Sequence, residues 1–157
     1  MNNKNSWDAT KSLLVVFDYE NDEQLKGFRK SLDEILNTSN VNRLIIIVSI
    51  GKEVDKNTLP PHFLIYYCSP NDFSFWGKLK DVQLLSELKK EFDLLMTFSE
   101  NQHPVFKEIK NTKIKRKVSI NSVISSSADL LLNTDSKEPR DMLNFTIKNL
   151  QKIAIYE

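Results

Sequence analysis

The chain predicts an α/β fold: a single Rossmann-like, three-layer domain built on a mainly parallel sheet of about five to six strands. Three observations predict it. Short β-favouring runs alternate with longer stretches whose apolar residues recur every three or four positions. The short runs are apolar throughout, as strands covered on both faces are. Turn and capping residues separate the segments, which is how successive βαβ units read. Residues 1–11, MNNKNSWDATK, read as a polar lead and residues 12–157 as the domain, with no internal repeat or low-complexity linker.

SLLVVF, Ser12 to Phe17, is the first buried strand. Asn21 or Asp22 then caps a helix whose greasy face carries Leu25, Phe28, Leu32, Ile35 and Leu36. RLIIIVSI, Arg43 to Ile50, is the second strand. Gly51 to Pro61 has room for only a short helix, and Pro60-Pro61 cannot continue one. HFLIYY, His62 to Tyr67, is the third strand. A loop, SPNDFSFWGKLKD, leads to Asp81, the cap of a helix striped by Val82, Leu85, Leu88 and Phe92.

LLMTF, Leu94 to Phe98, is the fourth strand, and Pro104 opens a short helix carrying Val105, Phe106 and Ile109. Lys113 to Ile120 alternates as a fifth strand, and Ala128 to Asn133 reads as a sixth. Asn121 to Ser127 has no period and reads as loop. Ser136 is expected to cap the last helix, with Pro139 in its first turn and Met142, Leu143, Ile147, Leu150 and Ile153 on one face. Glu138 near its start and Lys148 and Lys152 near its end suit the helix dipole.

Composition narrows the function classes. With a formal net charge of +1 over 157 residues, no global field favours nucleic acid or an anionic membrane. The longest apolar runs fall well short of the roughly 20 residues of a membrane helix. The start, MNNKNSWD, has no apolar signal-peptide core, so a cytoplasmic location is expected. One cysteine, Cys68, allows neither an internal disulfide nor a multi-cysteine metal site.

In an open parallel sheet, ligands bind beyond the carboxyl ends of the strands where strand order reverses. If the first and fourth strands flank that point, the candidate loops are Asp18 to Asp22 and Ser99 to His103, with the aromatic loop on the same rim. The three glycines, Gly27, Gly51 and Gly77, are scattered. Phosphate-cradling turns need them clustered, so no dinucleotide site, and no cofactor, is expected. Asp18, Glu20 and Asp22 alternate beyond the first strand, a spacing that suits Mg²⁺. The favoured reading is that they serve the helix start instead, and no metal site is expected. Cys68 reads as a buried structural thiol, His62 being too far along its strand to pair with it, and Ser125 to Ser127 lack a nucleophile-elbow frame. Lys113, Lys115 and Lys117 share one strand face, as lysines protecting a sheet edge do. No aromatic residue interleaves with them, so nucleic-acid contact is the lesser reading.

In the aromatic loop, Phe73, Phe75 and Trp76 are expected to fold back and cap the core. The competing role is a partner-binding anchor, with Lys78 and Lys80 meeting an acidic group or a phosphate. The segment F-x-x-x-G-K, Phe73 to Lys78, together with EFDLL at Glu91 to Leu95 and the closing helix Glu138 to Ile153, resembles an uncharacterised family of short bacterial α/β proteins, a domain of unknown function. The resemblance spans Leu13 to Ile153, although family members carry more residues before the first strand than this lead provides. It implies the fold and brings no activity, substrate or catalytic residue. The second half also looks like half of a two-domain sugar-nucleotide glycosyltransferase, at the level of fold analogy alone.

The resulting expectation is a non-enzymatic domain that binds a protein or a small ligand at the strand-end rim through Asp18, Glu20, Phe75, Trp76 and Lys78. The alternative is a small enzyme acting on a phosphate-bearing or nucleotide ligand, with Asp18 and Glu20 near a metal and Lys78 near phosphate.

Overall fold

A computed structural model describes residues 4–99, 102–121 and 128–155. The apolar runs form the strands β2 (Ser12–Asp18), β3 (Arg43–Ser49), β4 (Ile65–Cys68), β5 (Phe92–Phe98), β6 (Ile114–Ile120) and β7 (Leu130–Leu132). They make one parallel sheet in the order β4-β3-β2-β5-β6-β7. Counted from β2, that is the 3-2-1-4-5-6 order of a doubly wound fold. The expected Rossmann-like domain is therefore the observed one.

Alternate residues of β2 feed two cores. Leu13, Val15 and Phe17 face α1 (Asp22–Leu36) and α4 (Pro139–Gln151), while Leu14 and Val16 face α2 (Val82–Leu88) and α3 (Val105–Lys110). Side chains that alternate across a strand thus produce a layer of helices on each side. Phe28 of α1 stacks on Phe17 at 4.1 Å and meets Phe98 edge-on at 5.5 Å. Asn21 caps α1 by accepting the Gln24 amide at 2.8 Å.

Several elements differ from expectation. β4 begins at Ile65, because His62 to Leu64 form a turn that closes when the Ile65 amide donates to the His62 carbonyl. Phe92 belongs to β5, not to the α2 stripe: it pairs with Ile114 and carries the Arg43 guanidinium over its ring at 4.3 Å. The buried face of α2 uses Leu84 and Leu88, and Val82 is exposed. Glu138, not Ser136, is the N-cap of α4; the Ser136 hydroxyl bonds Asp141 instead. The helix ends at Gln151, leaving Ile153 partly exposed. The connection from Gly51 to Pro61 holds one 3₁₀ turn, Lys56–Thr58.

The basic strand is not simply an edge. Among the described residues β7 pairs with β6 only from Val118 to Ile120, so the half carrying Lys115 has no strand on that side. Lys115 there pairs with Asp93 at 3.4 Å. The lead is packed as well: β1 (Lys4–Asn5) pairs antiparallel with β8 (Ala154–Ile155), and Trp7 is 3% exposed. Arg116 anchors this segment by donating to the Ser6 carbonyl and the Thr10 hydroxyl, each at 3.3 Å. Residues 122–127, which include Ser125 to Ser127, lie outside the described residues. No helix among the described residues is long and apolar enough to cross a membrane.

Candidate functional site

β2 and β5 are neighbours whose onward connections leave in opposite directions along the sheet, so the strand-order reversal lies between them. Asp18 ends β2 at this point. Its Oδ1 accepts the Ser49 hydroxyl, from the end of β3, at 2.5 Å and the Ser99 hydroxyl, just past β5, at 2.7 Å. Both serines are buried. Three adjacent strand ends are therefore tied by one carboxylate. Hydroxyls withdrawn from water need such an acceptor, and a charged acceptor gives the stronger bonds.

His103 completes this side of the rim. Its Nδ1 accepts the Val105 amide at 3.1 Å, which puts the proton of the neutral ring on Nε2. Nε2 is buried near the Ile50 and Cys68 carbonyls without a hydrogen bond of good geometry among the described residues. Burial lowers the imidazole's pKa below its ordinary value, outweighing the opposing pull of the Ile50 carbonyl, Asp18, the Cys68 carbonyl and Asp72. Cys68, at the end of β4, is buried, and its thiol is pushed up to about 12, chiefly by burial and then by Asp72. A thiol held protonated is no nucleophile. The expectation of a structural cysteine agrees with this.

Glu20 is exposed. It shares with Asp18 a cleft of about 90 Å³, which Phe98, Asn121, Lys137 and Met142 also line. A ligand pocket for a nucleotide-sized molecule needs roughly 300 Å³ or more. The neighbouring cleft, about 470 Å³ between the starts of α1 and α4, is large enough. Glu20, Glu23 and Glu138 face it against Lys137, an excess of carboxylate that opposes a phosphate. Among the described residues no three His, Cys, Asp or Glu side chains converge as a metal site would require.

The aromatic loop is a built hairpin. Ser69 caps a 3₁₀ turn at its base: its hydroxyl accepts the Asn71 amide at 3.1 Å, and Asp72 accepts the Ser69 amide at 2.8 Å. Asp72 also holds Lys56 at 2.6 Å. Phe73 and Leu79 pair across the stem, and the Ser74 amide donates to the Lys78 carbonyl at 2.7 Å. The Gly77 amide closes the tip on the Ser74 carbonyl at 2.9 Å, with Gly77 at φ +79°. A left-handed glycine after a tight turn is the usual way to close a three-residue hairpin loop.

This geometry divides the aromatic residues. Phe73 points inward, packs against the second core and meets His103 edge-on at 6.3 Å. Phe75 is 94% exposed and Trp76 84% exposed, held edge-to-face at 5.4 Å. Core capping, expected of all three, is performed by Phe73 alone, because the stem bonds carry the tip away from the core.

The structure brings Asp18 and Glu20 together in one cleft, and it places Phe75, Trp76 and Lys78 together on the hairpin. Neither cleft that Glu20 lines includes a hairpin residue, so the two groups do not share a pocket. The Ser99 to His103 loop is legible in the sequence as part of the rim; the contacts of Ser49, Ser99 and His103 are not. Comparison with curated proteins returned no match, and comparison with solved structures returned none. A family model does match residues 1–153: the chain belongs to a family of unknown function, DUF6913.

Proposed function

We propose that this protein is a non-catalytic docking domain whose Phe75–Trp76 hairpin inserts into an apolar pocket of a partner protein. The observation that carries the reading is a pair of nearly fully exposed aromatic rings on a hairpin closed by its own hydrogen bonds. Leaving two such rings in water forgoes roughly 3–6 kcal/mol of burial. The fold makes no use of them, and a preordered aromatic tip loses little entropy on binding. Exposed Lys78 and Lys80 flank the tip, so the partner's pocket is rimmed by acidic groups. The reading includes a cytoplasmic location, in keeping with the single cysteine.

The alternative, a phosphate-bearing ligand at Asp18 and Glu20, gains nothing from the carboxylate-rich clefts. A photocrosslinking residue at position 76, with a second at Lys30 as the remote control, tests the proposal in cells. A discrete adduct is expected at position 76, weakened at high salt and abolished by Phe75→Ala. Identical labelling from both positions would remove the proposal. So would turnover of a nucleotide or sugar-nucleotide that Asp18→Ala abolishes.

A further inference from the structure

The two edges of the sheet are finished differently. At one end β7 is only three residues long, and the uncovered half of β6 carries Lys115. Short strands and lysines are the usual protection against pairing with another chain. At the other end β4 reads Ile65-Tyr66-Tyr67-Cys68, without proline, lysine or other charge. Phe63 precedes it, 85% exposed.

The β4 ladder leaves a defined set of backbone groups free. The Leu64 and Cys68 carbonyls accept from the amides of Ile46 in β3 and of Ile50 just past it, so even-numbered residues point their backbone groups inward. Ile65 and Tyr67 therefore point theirs outward. The Ile65 amide is taken by the His62 carbonyl. The Ile65 carbonyl and the amide and carbonyl of Tyr67 have no partner among the described residues. An open groove of about 370 Å³ follows this edge, lined by residues of both sheet faces, Ile65 and Tyr67 on one and Tyr66 on the other, and by Asp81 and Gln83 at the start of α2. It runs over the edge itself.

We infer that β4 pairs antiparallel with β4 of a second copy, joining two sheets across a two-fold axis at Tyr66. A free acceptor on residue 65 and a free donor on residue 67 are self-complementary about residue 66: each Tyr67 amide meets the other copy's Ile65 carbonyl. Two-fold interfaces require a surface that is its own complement. The groove also holds both signs of charge, Lys56 against Asp81, as such a surface must. At a formal net charge of +1, two copies repel little. Exposed Phe63 and Val82 supply apolar area beside the strand. This interface does not depend on the hairpin reading.

Sedimentation and light scattering of the purified full chain test it, with amide exchange at Tyr67 followed against concentration. A dimer dissociating at about 1–10 µM is expected, with Tyr67 exchange slowed as the dimer forms. Phe63→Lys, at an exposed side chain that stacks only on the neighbouring His62 among the described residues, is expected to weaken it at least tenfold with little change in the melting temperature. Tyr67→Pro removes the outward donor at an edge position where proline is tolerated, and is expected to abolish it. A chain that stays monomeric at about 100 µM overturns the inference. A dimer indifferent to Phe63→Lys overturns it as well. A dimer lost in Trp76→Ala but kept in Tyr67→Pro assigns the contact to the hairpin and likewise overturns edge pairing, whereas edge pairing with no crosslink at position 76 removes the docking proposal alone.

Discussion

Asp18 and Trp76 both belong to the carboxyl-end rim of the sheet, and they are built in opposite ways. The carboxylate resembles a catalytic group in the sequence, yet in the structure it is bonded to the Ser49 and Ser99 hydroxyls and ties three strand ends. The indole resembles core material, yet it stands in water on a hairpin that needs none of its area. The difference teaches that residue type alone does not separate a rim's structure from its contacts. What separates them is whether the neighbouring groups depend on the side chain. Around Asp18 two buried hydroxyls do, and among the described residues Trp76 makes a ring pair with Phe75 alone.

Stability measurements give the most direct way to break that comparison. Asp18→Ala takes an acceptor from each of two buried hydroxyls, and losing such a buried bond costs about 1–3 kcal/mol each before relaxation. A loss of about 2–3 kcal/mol is expected from chemical denaturation. The melting temperature should fall by about 5–10 °C for a chain of this size. Trp76→Ala, by contrast, is expected to stay within about 0.5 kcal/mol of the parent. Equal losses in the two variants would mean that the tip supports the fold after all.

Much of this rim was legible from sequence, because long apolar runs and capping residues report on local structure. β2, β3, α1 with its Asn21 cap and the Asp81 cap of α2 all stand where the pattern puts them. The strand-order reversal between the first and fourth strands is a condition of the rim argument that the alternation does not fix, and the sheet order supplies it. What was not legible depends on contacts between distant segments. Phe92 lies four residues after Leu88 and so extends a helical stripe, but the Arg43 guanidinium and the Ile114 pairing hold it in a strand. Trp7 is one aromatic in a polar stretch, and its burial depends on a two-strand pairing between the ends of the chain. Ser49 and Ser99 are single polar residues at strand ends, and only the strand order brings both to Asp18. For the hairpin, the same turn signals that located it fix its bonds, and those bonds point Phe75 and Trp76 outward.

A smaller effect sharpens the hairpin half of the comparison. Gly77 adopts φ +79°, a backbone region that costs a side-chain-bearing residue about 1–2 kcal/mol. A Cβ there would meet nothing within 4 Å, so the cost is conformational rather than steric crowding. Gly77→Ala is expected to reduce global stability by no more than about 1 kcal/mol, since the hairpin can open locally. Its larger effect is on docking: the crosslink from position 76 should weaken although Phe75 is unchanged. An unchanged crosslink would show that the tip binds without being preordered, and the entropy argument for the anchor would be lost.

The least of the expected effects concerns pH and returns to the buried half of the rim. Burial lowers the pKa of His103 below the ordinary histidine value of about 6.5. The folded protein therefore favours the neutral ring more than the unfolded chain does. Above pH 6.5 the ring is neutral in both states and its contribution is constant. As pH falls from there through the depressed folded value, the unfolded chain takes up a proton that the folded one resists, and stability declines. Protonation at Nδ1 would also break the bond from the Val105 amide at the start of α3. His62 is lowered too, first by burial and then by Arg29, but it lies at the β4 edge and its contribution has to be separated. His103→Gln in a His62→Gln background isolates the rim. Denaturation midpoints measured between pH 7.5 and 5 should fall less steeply in the double variant than in His62→Gln alone. Parallel slopes would mean that the imidazole beside Asp18 titrates as freely as one in water and is not held neutral by its burial.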